Sequence, residues 1–367
     1  MRIGVLGGGQ LGRMIALAGI PRGHTFRFLD PNPEACAGEV GELVAGPFEP
    51  GDHLDRFAAG LDVVTYEFEN VPTVLVELLL ARGLDVRPGV DSLKFAQDRL
   101  LERGLFADLG IETPRFKQID SVKDLAAGIA EIGSDAILKT RRDGYDGKGQ
   151  VRISADTDPA SAYAEIKDAP AILDERVSFD RELSIVASRG IDGTIAFYPL
   201  AQNRHHKGIL RTTIAPAPDV SMDVKRSAED AAAALLERLN HVGTIALEFF
   251  DVGGKLLANE FAPRVHNTGH WTIEGAYPSQ FENHVRCVAG EKPVMSRVHG
   301  AFAMVNIVGE HPKPGAFDTI PDAALHLYGK TERAGRKLGH VTVHGMTASR
   351  LEDLMERVEA QSPIVLG

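Results

Sequence analysis

The chain has 367 residues, 44% of them hydrophobic and 25% charged, which is more than one small core organises, so two or three domains are expected. Its 51 acidic against 40 basic residues give a net charge of −11, which excludes nucleic-acid binding through a general basic surface and makes any anion site local. Two distant cysteines without metal-ligand spacing, Cys36 and Cys287, no signal-peptide h-region and no apolar run of roughly 18 residues point to a cytoplasmic protein with no membrane partner.

"RIGVL", residues 2–6, reads as a buried parallel strand, and "GGGQLGRMIALAGI" as a glycine turn opening a helix. "TFRFLD", ending at Asp30, and "DVVTYEFE" read as further strands. The alternation implies a parallel α/β domain over residues 1–96. Residues 92–110, "SLKFAQDRLLERGLFADLG", read as one helical stretch with a glycine stop. The chain restarts extended after Pro114, and "DAILKTR" forms a strand. "APAILDERVSFDRELSIVASRG" reads as two strands joined by a short linker. A helix over "SAEDAAAALLERLNHVG" precedes the hairpin "TIALEFFDVGGKLLANEFAPR". Short strands and turns follow, closed by a helix over residues 349–361.

Several constellations carry chemistry. Gly7, Gly9 and Gly12 form G-x-G-x-x-G between strand and helix, with Asp30 placed as the acidic ribose partner of a dinucleotide site. The same glycines also suit close helix–sheet packing, or a helix N-terminus that holds one phosphate. "LKTRRDGYDGKGQV" is either an exposed turn or a lid whose N–H groups and lysine fold over phosphates. Counting outward from Gly254 in the hairpin pairs Asp251 with Leu257, Phe250 with Ala258, Phe249 with Asn259, and Glu248 with Glu260. Facing carboxylates repel unless a cation lies between them, and Mg²⁺ is satisfied by two plus substrate phosphates. A register slip would instead leave one Glu in solvent. Arg264, His266, Asn267, His270 and Trp271 read as a pocket wall. Lys330, Arg333, Arg336, Lys337 and His340 form a basic turn, either solvated or an anion clamp.

A glycine-rich basic loop after a strand lysine, a linker and paired glutamates on a hairpin together resemble the ATP-grasp superfamily. Within it, "GVLGGGQLGRM", "YEFENVP", "GYDGKGQ", "GILRTT", "NEFAPRVHNTGHWT" and "GRKLGH" are similar to the 5-(carboxyamino)imidazole ribonucleotide synthase family, over nearly the whole chain. The resemblance implies an α/β fold of ATP-grasp type: an N-terminal Rossmann-like domain over residues 1–96, a central domain over 97–290 with a small lid at about 115–177, and a small β-rich C-terminal domain over 291–367. It implies a carbon–nitrogen ligase of purine biosynthesis that joins ATP, bicarbonate and 5-aminoimidazole ribonucleotide (AIR). The family further implies a cytoplasmic homodimer that needs Mg²⁺ and binds neither NAD nor nucleic acid.

Carried over by motif, ATP would meet Arg99, Lys139, the loop Gly144, Tyr145, Asp146, Gly147, Lys148, Gly149 and Gln150, and the linker Asp174, Glu175, Arg176 and Val177. Glu182, His205, Asn259 and Glu260 would complete its site. Mg²⁺ would be held by Glu248 and Glu260. AIR would lie against Gln10, Leu11, Glu67 and Asn267, its phosphate on Lys330, Arg336 and Lys337. Bicarbonate chemistry would fall to Tyr145, Asp146, Lys148, Arg264, His266 and Lys337. The linker departs from the family at Asp174, where glutamate is frequent. The alternatives are a ligase that formylates glycinamide ribonucleotide with formate, an NAD-dependent oxidoreductase, and a silent nucleotide-binding module.

Overall fold

In the computed structural model, which describes residues 1–144 and 149–366, the N-terminal strands form a parallel sheet. Its order is Glu42–Ala45, Thr25–Asp30, Arg2–Leu6, Val63–Tyr66. Ile3 and Val5 pack with Phe26 and Phe28 on one face, while Leu6, Leu29 and Val64 pack with Leu75 and Leu79 on the other. A sheet covered on both faces explains why "RIGVL" is a continuous apolar run. The strand Glu42–Ala45 has no such signature, because only Val44 in it is buried.

The expected single helix over residues 92–110 is two, Val90–Ala96 and Arg99–Asp108. Asp98 breaks it. Its backbone is extended and its carboxylate accepts the N–H groups of Leu100 and Leu101, so it caps a new helix. That restart places Arg99, Glu102 and Arg103, at i, i+3 and i+4, on one side of the helix.

An antiparallel sheet follows, in the order Phe116–Ile119, Ala171–Glu175, Ala136–Thr140, Gln150–Ile153. Leu125 and Tyr163, from its two helices Val122–Ile132 and Pro159–Glu165, pack on Leu138 and Leu173. The larger sheet runs Lys255–Ala262, Gly243–Val252, Arg181–Arg189, Ala201–His206, Ile209–Ala215. It continues without a break into Ala301–Val308, Lys337–Gly345 and Ala324–Leu327, so the C-terminal strands extend the central sheet. The helix expected from Ser227 starts at Met222, where Ser221 caps it through the Val224 N–H. Among the described residues, no helix is long and apolar enough to cross a membrane.

The hairpin register differs from the expected one near its turn. Gly253 and Gly254 have φ of 59° and 86° and form a two-residue turn that pairs Val252 with Lys255. Asp251 therefore faces Leu256, Phe250 faces Leu257 and Phe249 faces Ala258. A bulge then absorbs Asn259, and Glu248 faces Glu260 as expected.

Candidate active site

The glycine turn is filled by the protein itself. Glu67 accepts the N–H groups of Gly9 at 2.6 Å and Gly12 at 2.8 Å, which lie at the start of the helix Gln10–Gly19. A Cβ at Gly7 would lie 2.5 Å from Glu67 Cγ, and one at Gly9 2.6 Å from Glu67 Oε1. The glycines therefore make room for a carboxylate where a dinucleotide would put its pyrophosphate. Asp30 is likewise spent on the N–H groups of Gly8, at 2.7 Å, and Asn32, at 2.8 Å. These contacts overturn the NAD reading. Burial pushes the Glu67 carboxyl up, against the two backbone hydrogen bonds.

Glu248 and Glu260 stand opposite one another across the bulged hairpin. Arg99 Nη1 lies 3.0 Å from Glu260, and His266 Nδ1 lies 3.7 Å from Glu248. His205 Nδ1 is 2.8 Å from Glu182. Burial, together with the Glu260 charge, pushes the Glu248 carboxyl up to about 7. Burial also raises Glu260, but Arg99 and Lys139 outweigh it and hold this carboxyl below its ordinary range. Protein cations thus outweigh burial at Glu260, whereas at Glu248 His205 and Lys337 offset it only in part. A divalent cation between them would supply the missing charge, so the pair fits Mg²⁺.

Lys139 is turned inward. Its ammonium lies 2.8 Å from Asp174, and the same carboxylate oxygen lies 3.0 Å from Arg103. Burial lowers the Lys139 ammonium, against the Asp174 charge. Arg103 also donates to the Asn259 carbonyl at 2.6 Å, tying the linker to the bulge. Glu175 and Arg176 form ion pairs with Arg115 and Asp135, and their N–H groups bond to the carbonyls of the same two residues. Val177 follows as the first linker residue beyond these pairings.

A cleft of about 610 Å³ brings together much of the expected set: Arg99, Gly144, Glu260, Arg264, His266, Gln10, Leu11, Glu67, Asn267, Lys330, Arg336 and Lys337. Lys330 donates to the Gln10 side-chain oxygen. Arg336 Nη1 donates to Thr331 Oγ1 at 2.7 Å, and Arg264 to Glu69. Burial, with Arg264 and Lys337 nearby, holds His266 well below the usual histidine range and therefore neutral. Asn267 is 8% exposed, and neither its Oδ1 nor its Nδ2 has a partner among the described residues. A buried bare amide needs a ligand or water to complete it.

Lys139, Gly149, Gln150, Asp174, Glu175, Arg176, Val177, Glu182, His205, Glu248 and Asn259 do not line this cleft. Gln150 pairs with Lys139, which fixes the C-terminal side of the glycine loop. Tyr145, Asp146, Gly147 and Lys148 lie outside the described residues. The structure adds Gln97, Glu102 and Arg103. Gln97 Nε2 binds the carbonyls of Glu69 and Val71, which holds the cleft segment after Glu67. Glu102 accepts the Phe261 N–H at 2.8 Å, and burial, against Arg103 and Arg99, pushes its carboxyl up to about 7. The spacing of Arg99, Glu102 and Arg103 in "RLLER" was the available signal, legible once Asp98 is taken as a cap.

Family models match the chain in three consecutive parts. These are a ribonucleotide synthetase preATP-grasp domain over residues 1–97, an ATP-grasp domain over 104–281, and a phosphoribosylaminoimidazole carboxylase C-terminal domain over 303–354. The N5-carboxyaminoimidazole ribonucleotide synthase of Pseudomonas aeruginosa is 46% identical over 360 residues, covering 98% of this chain and 99% of its own. The Thermus thermophilus N5-carboxyaminoimidazole ribonucleotide synthetase structure aligns with a TM-score of 0.94 at 48% identity, over 99% of each chain. The Aspergillus clavatus N5-carboxyaminoimidazole synthase structure, in complex with ADP and 5-aminoimidazole ribonucleotide, aligns with a TM-score of 0.88 at 26% identity, over 98% of each chain. With matching domains in matching order and end-to-end identity at this level, the chain belongs to the N5-carboxyaminoimidazole ribonucleotide synthase family of ATP-grasp ligases.

Proposed function

We propose that this enzyme carboxylates the exocyclic amine of AIR with bicarbonate at the expense of ATP, forming N5-carboxyaminoimidazole ribonucleotide, ADP and phosphate in purine biosynthesis. Bicarbonate is a poor electrophile. An oxygen of bicarbonate attacks the γ-phosphorus and ADP leaves, which gives carboxyphosphate. The AIR amine then attacks the carboxyl carbon, phosphate departs with the C–O bond pair, and the amine loses a proton.

The observation that carries this reading is one cleft holding both Glu260 with its Arg99 partner and the bare amide of Asn267 beside Gln10, Lys330, Arg336 and Lys337. In this assignment Arg99, Lys139 and the linker bind ATP, with Glu182, His205 and Asn259 supporting them. Glu248 and Glu260 would hold Mg²⁺, which supplies charge neutralisation at the phosphate oxygens. Gln10, Leu11, Glu67 and Asn267 orient AIR, and the basic turn takes its phosphate. Arg264, neutral His266 and Lys337 face bicarbonate, and the segment 144–150 covers the phosphates, with Tyr145, Asp146 and Lys148 at the bicarbonate end. Carboxyphosphate hydrolyses readily, so closing this segment excludes water. The proposed domain limits are residues 96–97 and 290–291, with a lid over about 115–177. The family resemblance supports a homodimer, and two buried free thiols support a cytoplasmic location.

The test is ADP formation in carbonate-depleted buffer. AIR-dependent turnover should return with bicarbonate and not with formate. A site built to bond the bicarbonate hydroxyl leaves polar groups unpaired against formate, which discriminates by several powers of ten. Turnover with formate and glycinamide ribonucleotide, but none with bicarbonate and AIR, would overturn the proposal.

A further inference from the structure

Glu274, His326 and His340 each offer a ligand atom within 4.8 Å of the other two. They come from separate elements: Glu274 from the helix Thr272–Gly275, and His326 and His340 from directly paired positions of adjacent strands. His326 Nε2 lies 2.6 Å from Glu274 Oε1. His340 is fully buried, and its Nε2 has no partner among the described residues. Its Nδ1 lies 2.7 Å from the Tyr328 hydroxyl. When the ring donates Nδ1–H to that oxygen, the Nε2 lone pair is free. This is the outer-sphere arrangement that fixes a ligating imidazole.

We propose that Glu274, His326 and His340 form a binding site for a divalent transition-metal ion of the zinc type, separate from the Glu248–Glu260 pair. Two imidazoles and one carboxylate suit such an ion better than Mg²⁺, which takes oxygen ligands. Burial keeps His340 neutral, the form that ligates. The rings of His326 and His340 are stacked, with centroids 4.5 Å apart and planes at 12°. Stacked rings cannot both aim a lone pair at one ion. Uptake therefore turns His326, the more exposed ring, out of the stack while Glu274 exchanges its hydrogen bond for the metal. The stack explains how the rings touch but leaves the buried Nε2 of His340 without a partner, and the metal provides one.

The experiment titrates chelator-treated full-length enzyme with Zn²⁺ by calorimetry, and with Co²⁺ by its visible spectrum. Wild type should take up one equivalent at this site. His326→Ala should lose it while keeping its circular dichroism, Glu274→Gln should weaken it, and Tyr328→Phe should weaken it about 10–100-fold. Glu260→Gln should leave it intact. Equal Zn²⁺ uptake by wild type and His326→Ala would overturn the proposal, as would uptake that disappears with Glu260→Gln and not with His326→Ala.

Discussion

Asp174 receives two buried cations on one oxygen, Lys139 at 2.8 Å and Arg103 at 3.0 Å, and is itself only 2% exposed. Removing its charge strands both. Breaking a buried pair from one side costs about 3–5 kcal/mol. Asp174→Asn, which keeps the shape, is expected to lower unfolding stability by that amount in a urea titration. A midpoint unchanged from wild type would show that both cations find other partners.

The facing of Glu248 and Glu260 predicts the behaviour of their amide variants. Glu260→Gln keeps the shape and removes one of the two facing negative charges proposed to hold Mg²⁺. It should abolish AIR-dependent ADP release while leaving the circular dichroism of the folded protein intact, with a lower melting temperature because Arg99 loses its partner, and Glu248→Gln should be impaired in the same way. Wild-type turnover at saturating Mg²⁺ in either variant would remove these residues from the metal site.

The hairpin also shows what the sequence conveys and what it hides. The facing glutamates are legible as two carboxylates close to the same height on an apolar strand pair, but counting from Gly254 places them opposite one another only because its one-residue error at the turn is offset by the bulge at Asn259. The bulge itself is not legible, because the turn closes on two residues and the compensating slip at Asn259 leaves no compositional mark. The first glycine turn is legible as a helix entry, but its ligand is hidden. Glu67 lies 55 residues beyond Gly12, and only the parallel pairing of Arg2–Leu6 with Val63–Tyr66 brings its strand end alongside. The inward turn of Lys139 is hidden for the same reason. Alternation along Ala136–Thr140 tells which face a side chain leaves from, not which carboxylate from another strand it meets.

Arg336 tests the basic turn. Its guanidinium donates to Thr331, through the carbonyl at 3.0 Å and the hydroxyl at 2.7 Å, an exposed local pairing whose removal disturbs the free protein little. A charge-assisted bond to a substrate phosphate is worth roughly 1.5–3 kcal/mol. Arg336→Ala should therefore raise KM for AIR by about one to two powers of ten and barely change KM for ATP. Equal losses for both substrates would make the turn structural or assign it to ATP.

Two buried histidines join the N-terminal domain to the central one and contribute to the acid stability. His284 Nε2 lies 2.9 Å from Thr65 Oγ1 and its Nδ1 accepts the Thr244 N–H, while His241 Nδ1 lies 3.0 Å from Ser92 Oγ. Burial pushes His284 down to about 4; burial, with His284 nearby, takes His241 down to about 3. Unfolded, both rings titrate near 6.5, so below that pH the unfolded chain binds protons that the folded one refuses. Their contribution is fully present above about pH 6.5 and is lost as pH falls toward 4. Each ring removes about 1.4 kcal/mol per pH unit over that interval. Urea unfolding at pH 7.5, 6 and 5 should show stability falling with acid in wild type. In His241→Gln/His284→Gln the slope should be shallower by roughly the sum of the two terms, whatever the variant's stability at pH 7.5, because glutamine takes no proton. A double variant that keeps the wild-type slope would place the acid sensitivity in other groups.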